Sequence, residues 1–145
     1  MNAIKKEKGK PAIRIFLSYV AADKEYGYKL LNLLSQRPNL HIFTPEVLSA
    51  GEDWKSKLKD ELSKCDFFIV LLSSNSVNSK WVLPELGAAW ALNKSIISVV
   101  THSEVFSKIP VDLRKFPSVD IKYLEKHPEA INQILEHYEE TGNFT

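Results

Sequence analysis

The apolar run from Phe67 to Leu72 constrains the fold of this chain more than any other feature. None of its six residues is polar, whereas a strand with one face in solvent alternates apolar and polar side chains. A strand buried on both faces is typical of a parallel sheet that helices cover from either side. This one segment therefore predicts an α/β architecture.

The rest of the chain alternates predicted strands with predicted helices. β-Branched and aromatic runs predict four more strands, at residues 12–18, 40–43, 96–100 and 118–121. Apolar residues at helical spacing predict helices between them, at about 23–37, from Trp54 onwards, at 79–92 and after Pro128, with 101–116 irregular or partly helical. Asp23 lies where the first helix needs an N-cap. Five strands with helical crossovers predict a three-layer flavodoxin-like fold of order 2-1-3-4-5, with helices on both faces.

Composition narrows the class of protein further. The chain has 145 residues, 44% of them apolar, and a net charge of +1, which fits one globular domain and argues against a nucleic-acid binder. Cys65 is the single cysteine, so we expect a reducing, cytoplasmic location. No apolar run approaches the ~20 residues of a membrane span. We expect a disordered basic leader at 1–11 and a single domain at 12–145.

The strand order predicts where a ligand binds. In order 2-1-3-4-5 the switch point falls between the first and third strands, and ligands bind beyond their carboxyl ends. Ser18 and Tyr19 follow the first strand, residues 73–76 follow the third, and the next helix begins nearby. The loop 44–53 after the second strand lies beside this crevice.

Trp81 and Glu85 lie on the helix that follows the third strand, four residues apart, so they share one helix face. Pro84 suits the first turn of a helix, and a carboxylate near a helix N-terminus stays ionised. On pattern alone, Glu85 fits better as a first-turn glutamate that stabilises the helix dipole than as a functional group.

Other chemistries lack their motifs. The four histidines are scattered, and neither GxxxxGK[ST] nor GxGxxG occurs, so we expect no metal, no P-loop and no Rossmann cofactor site. The first and third strands end in serines rather than acidic residues, which disfavours a magnesium-dependent phosphoacceptor.

Four segments in order resemble the motifs of TIR (Toll/interleukin-1 receptor) domains, most closely those of the bacterial and archaeal kind. They are Phe16–Tyr19, Leu48–Trp54, Phe68–Ser73 and Ser79–Leu86. The resemblance runs from about Arg14 to Val100. It implies a flavodoxin-like fold and one of two activities: cleavage of NAD+ between nicotinamide and ribose, or protein–protein recruitment as an adaptor.

The resemblance also implies roles for particular residues. Glu85 matches the catalytic glutamate of the enzymatic members, and Trp81 matches the aromatic residue that precedes it. NAD+ is then a substrate rather than a cofactor, and the products are nicotinamide and ADP-ribose or a cyclic isomer. Residues 44–53 resemble the BB loop, which mediates TIR–TIR contacts, with Gly51 supplying backbone freedom.

Several positions keep two interpretations. Trp54 matches an aromatic position beside the nicotinamide, but it also begins the apolar stripe that continues with Leu58 and Leu62, which indicates core. Trp81 contacts the substrate or packs under the following loop. Ser18 and Tyr19 line the pocket or only complete the strand end.

The chain departs from the enzymatic pattern in two places. Val20, Ala21 and Ala22 stand where some enzymatic relatives carry basic residues, and Thr44 and Pro45 stand where others have an aspartate. These departures leave Glu85 in place. From the resemblance as a whole we expect a self-associating NAD+ glycohydrolase of microbial immune defence, paired with a sensor domain or chain, with a non-catalytic adaptor as the alternative. A nucleoside deoxyribosyltransferase-like enzyme is a further rival, which the motif around Gly51 and Trp54 disfavours.

Overall fold

The computed structural model describes residues 12–45, 54–77, 88–89, 92–109 and 113–141. The predicted leader at 1–11 lies outside this part of the chain. The described residues contain five strands: β1 Ile13–Ser18, β2 Leu40–Phe43, β3 Phe67–Leu72, β4 Ser95–Val100 and β5 Ser118–Asp120. They form one parallel sheet of order β2-β1-β3-β4-β5. The predicted fold class and strand order are confirmed.

Besides the helical residues Ala88 and Ala89, the described part of the chain contains four helices and two short 3-10 helices. The helices are α1 Lys24–Ser35, α2 Trp54–Lys64, α3 Ile121–Lys126 and α4 Glu129–Thr141, and the 3-10 helices are Ala21–Asp23 and Ser103–Lys108. The second 3-10 helix lies in the stretch predicted to be irregular or partly helical. None of the helices that the structure describes is long and apolar enough to cross a membrane.

Ala88 and Ala89 are helical, and the chain leaves this helix shortly before β4. Asn93 adopts the left-handed conformation, with φ of 59°, and the Lys94 amide donates to the Ala89 carbonyl at 2.9 Å. This six-to-one hydrogen bond is the Schellman ending, which favours Gly or Asn at the left-handed position. The observed end agrees with the predicted helix end at Leu92.

The sheet buries both of its faces, as the apolar run of β3 predicts. All six residues of β3 are buried, and they alternate between two cores. Phe67, Ile69 and Leu71 belong to a core that α1, α3 and α4 cover. Phe68, Val70 and Leu72 belong to the opposite core, which includes Leu62 of α2.

One helix was missed by the sequence analysis. Ile121 was predicted to end the fifth strand, but it is the first residue of α3. The cause is a side-chain cap, since the Asp120 carboxylate accepts a hydrogen bond from the Lys122 amide at 2.8 Å. Ile121 and Leu124, three residues apart, are both buried by the resulting helix.

Candidate functional site

The carboxyl ends of β1 and β3 lie side by side, as the strand order requires. Ser18, the last residue of β1, pairs with Val70 in the register of the two strands, and β3 continues to Leu72. The chain then turns through Ser73, Ser74, Asn75 and Ser76, hereafter the β3 loop. The crevice predicted at the switch point is therefore bounded by the β3 loop and by the segment after β1.

A buried polar network connects these two segments. Asp23, Ser73 and Ser76 are 3%, 5% and 0% exposed. The Ser73 hydroxyl donates to Asp23 Oδ2 at 2.6 Å, and the Asn75 side-chain amide donates to Asp23 Oδ1 at 3.4 Å. Because a buried carboxylate without such donors is costly, these hydrogen bonds are what allows Asp23 to occupy this position.

The β3 loop is also held by its own serine side chains. The backbone amides of Asn75 and Ser76 donate to Ser73 Oγ at 3.0 and 3.2 Å. The Ser73 amide donates to Ser76 Oγ at 2.9 Å, and the Ser76 hydroxyl donates to the Leu71 carbonyl at 3.3 Å. Backbone groups that have left the sheet are thus satisfied by side chains within the loop.

Asp23 occupies the predicted N-cap position of α1, but its side chain makes no capping hydrogen bond. The preceding 3-10 helix, Ala21–Asp23, brings the chain into α1 in a geometry that directs the carboxylate toward Ser73 instead. The expected role for the Asp23 side chain is therefore corrected from a helix cap to a tether of the β3 loop. The partner is 50 residues away along the chain, so no local pattern indicates it.

Ser18 and Tyr19 were predicted to line the crevice, and both are buried. Ser18 is 0% and Tyr19 is 7% exposed. Tyr19 belongs to the core beneath α1, and its ring lies against the backbone of Gly27. Packing accounts for most of the Tyr19 surface, and contact of either residue with a substrate stays a prediction.

The remaining predicted site residues lie outside what the structure describes. Gly51, Trp81 and Glu85 fall in undescribed segments, and only the backbone of Trp54 is described, as the first residue of α2. Of the predicted interaction loop 44–53, the structure describes Thr44, which is buried, and Pro45, which is half-buried. The roles of all these residues stay predictions.

Cys65 lies two residues before β3 begins, at the end of the sheet opposite the crevice. Burial raises the pKa of its thiol to about 11, so the group is protonated and unreactive near neutral pH. Its Sγ donates to the Leu62 carbonyl at 3.2 Å. Cys65 is thus a buried packing residue, and the crevice does not use it as a nucleophile.

The fold matches that of known proteins. A model of the TIR domain family matches residues 15–135, and the chain belongs to this family. No curated protein sequence is significantly similar to the chain. The sequence resemblance to TIR domains is therefore confirmed by a family model that covers most of the chain.

Several solved structures share the fold at low sequence identity. The TIR domain of the Toll-related receptor TRR-2 from Hydra magnipapillata is 15% identical, with a TM-score of 0.67 over 86% of this chain and 97% of that one. The TIR domains of the activated Roq1 resistosome, which recognises the pathogen effector XopQ, are 22% identical, with a TM-score of 0.53 over 68% and 65%.

A deoxyribosyltransferase is a third structural neighbour. The 2-desoxiribosyltransferase from Leishmania mexicana is 21% identical, with a TM-score of 0.51 over 62% of this chain and 65% of that one. At such identities the likeness is one of fold alone. The fold by itself therefore does not separate the TIR activities from the deoxyribosyltransferase rival.

Proposed function

We propose that this TIR domain is an NAD+ glycohydrolase, which cleaves the bond between nicotinamide and ribose. The observation that carries the proposal is the position of Glu85. It follows the β3 loop by nine residues in the sequence, with Trp81 four residues before it, in a chain of the TIR family. Enzymatic members of the family are expected to carry their catalytic glutamate at this position.

One carboxylate suffices for the proposed reaction. Nicotinamide leaves NAD+ as a neutral molecule, so no general acid has to protonate the leaving group. Positive charge develops on the ribose as the bond breaks, as in glycoside hydrolysis. An ionised Glu85 stabilises that charge electrostatically and binds the ribose hydroxyls. Attack by water gives ADP-ribose, and attack by a group within the nucleotide gives a cyclic isomer.

The other proposed residues bind the substrate. Trp81 and Trp54 offer aromatic surfaces for the nicotinamide end. Gly51 gives the adjoining loop the backbone freedom to open and close. Ser18 and Tyr19 complete the wall after β1. The substitution of Val20, Ala21 and Ala22 for basic residues leaves the phosphate contacts to other groups, including those of a second TIR domain.

Self-association through residues 44–53 is the proposed switch. A neighbouring TIR domain then completes the active site, and a sensor domain or a separate sensor chain controls the assembly. The Roq1 TIR domains, which occur in an activated resistosome, support this part of the proposal by analogy. The proposed setting is microbial immune defence in the cytoplasm.

A signalling adaptor without catalysis is the second candidate. The observation that favours it is the absence of basic residues at 20–22, where some enzymatic relatives carry them, and of an aspartate at 44–45, where others do. An adaptor needs only the folded domain and its interaction loop. It releases no nicotinamide at any protein concentration.

The experiment that tests the proposal compares substrates at rising protein concentration. The protein is incubated with NAD+, and separately with a deoxynucleoside and a free base, and the products are separated by chromatography. We expect nicotinamide release that rises more steeply than protein concentration, with no base exchange. Base exchange without NAD+ cleavage would identify a deoxyribosyltransferase, and no turnover even under forced clustering would identify an adaptor.

A further inference from the structure

We infer that Asp23 is a positioning residue for the crevice: it fixes the β3 loop, from which the chain leads toward Glu85. The inference rests on the proposed function, since it concerns the turnover of the same site. Asp23 is 3% exposed, and its two oxygens accept hydrogen bonds from Ser73 and Asn75, so it acts through Ser73 rather than by touching a substrate. It lies before α1, whereas the loop that it holds follows β3.

Asp23 sets the direction of the Ser73 hydroxyl, because that hydroxyl can donate only one hydrogen bond. A hydroxyl has one proton to donate and two lone pairs to accept. The amides of Asn75 and Ser76 occupy the acceptor side, at 3.0 and 3.2 Å. The proton is then directed to Asp23 Oδ2 at 2.6 Å, since the other acceptor, Ser76 Oγ, is 3.5 Å away.

A hydrogen bond to a carboxylate is shorter and stronger than one between neutral groups, which fits the 2.6 Å distance to Asp23. It sets the direction of the Ser73 hydroxyl and, through it, the acceptor of the Asn75 amide, whereas the Ser76 amide is shared between Ser73 Oγ and the Ser73 carbonyl, each at 3.2 Å. The second oxygen of Asp23 accepts from the Asn75 side chain at 3.4 Å. One carboxylate thus engages two of the four residues of the β3 loop.

The alternative role for Asp23 is stabilisation of α1 alone. An aspartate at an N-cap ordinarily accepts a hydrogen bond from the helix backbone, and Asp23 makes no such bond. Its carboxylate instead faces the β3 loop. The β3 loop ends in Ser76, and Val77 follows, at 0% and 5% exposed, so the chain enters the segment toward Glu85 from a fixed, buried position.

The test measures kcat and KM for nicotinamide release from NAD+ in four variants. Asp23→Ala and Ser73→Ala remove the tether, Asp23→Asn keeps an oxygen that accepts from Ser73, and Asp23→Ala/Ser73→Ala combines the losses. Small misplacements of a site cost rate steeply. We expect kcat to fall about tenfold or more in each alanine variant, with KM within about threefold of wild type. Asp23→Asn restores most of the rate.

The double variant and an amide-exchange measurement separate positioning from general instability. The double variant falls no further than the single ones, because both changes remove the same contact. Exchange of the Asn75 amide, which donates to Ser73 Oγ, accelerates in Asp23→Ala, and that of the Ser76 amide, which also donates to the Ser73 carbonyl, accelerates less. Ile121→Val, which trims a buried side chain of α3 after the edge strand β5, controls for stability loss and keeps the wild-type kcat.

The outcomes distinguish this inference from the proposed function. An active wild type whose kcat is unchanged by Asp23→Ala overturns the inference and leaves the proposed function standing. A loss of kcat in Ile121→Val equal to that in Asp23→Ala overturns it too. A wild type that releases no nicotinamide under any clustering condition overturns the proposed function, and the inference with it.

Discussion

The ring of Tyr19 lies so close to Gly27 of α1 that a Cβ added at Gly27 would be 2.6 Å from the ring atom Cζ. That distance is far below a van der Waals contact of about 3.5 Å. Tyr19 is 7% exposed and belongs to the core under α1, so its ring has little room to move. The residue at position 27 therefore decides how closely the segment after β1 packs on the helix.

Gly27→Ala is predicted to destabilise the fold. Helix propensity alone favours alanine by about 1 kcal/mol, but forcing an extra methyl into a packed core costs about 1–3 kcal/mol. We expect a net loss of about 1 kcal/mol in the free energy of unfolding, measured by urea denaturation. Introduced into Tyr19→Ala, the same change is expected to stabilise the protein. If Gly27→Ala stabilises the wild type, the close packing is refuted.

Glu61 is predicted to contribute far more to stability than its neighbour Asp60 on α2. Its side chain is 8% exposed and lies 3.1 Å from Arg14 Nη2 and 3.3 Å from Lys57 Nζ. Because a hydrogen bond to a charged group contributes about 1.5–3 kcal/mol and the cationic partners of Glu61 are a third to a half exposed, Glu61→Ala should cost about 2 kcal/mol.

Asp60→Ala is the matched control for Glu61→Ala. Asp60 also forms an ion pair one helical turn along α2, with Lys64 at 3.1 Å, but both side chains are about half exposed. Exposed pairs contribute about 0.5 kcal/mol or less. Thermal or chemical unfolding of the two variants measures the difference, and equal losses would contradict the account of a buried carboxylate at Glu61.

Cys65 is predicted to make stability depend on pH above about 9. Burial raises the pKa of its thiol from 9.0 to about 11 in the folded protein. The folded state therefore holds the proton more tightly than the unfolded state. The resulting stability is present below pH 9 and is lost as the pH rises through 11, by about 2 kcal/mol.

The measurement for Cys65 is the difference in unfolding free energy between wild type and Cys65→Ala across pH 7.5–11. Both proteins share every other alkaline titration, so the difference isolates the thiol. We expect it to be constant up to about pH 8.5 and then to fall. Parallel curves throughout would show that the thiol titrates alike in both states.

Much of the fold follows from the sequence because its controlling signals are local. The apolar run of β3 requires burial on both faces, and the alternation of strands and helices then leaves few topologies. The strand order and the two cores agree with these predictions. The short helix α3 was missed because Ser118–Ile121 looks like strand, while the Asp120 cap that begins the helix acts over only two residues.

The parts of the site that sequence analysis missed depend on distant partners. Asp23 has the sequence position of a helix cap, and only the folded chain brings Ser73 within 2.6 Å of it. The fit of Gly27 to the Tyr19 ring likewise depends on how β1 lies against α1. Glu85 and Trp81 were proposed from their order in the chain and from the family resemblance, and their roles stay predictions.

The rate of nicotinamide release by wild type and by Glu85→Ala tests the central claim most directly. Both proteins are assayed with NAD+ at the same high concentration, with Glu104→Ala as a control that removes an exposed glutamate of the 3-10 helix Ser103–Lys108. We predict release by wild type and Glu104→Ala, and a loss of about 100-fold or more in Glu85→Ala. Release that survives in Glu85→Ala would contradict Glu85 as the catalytic group.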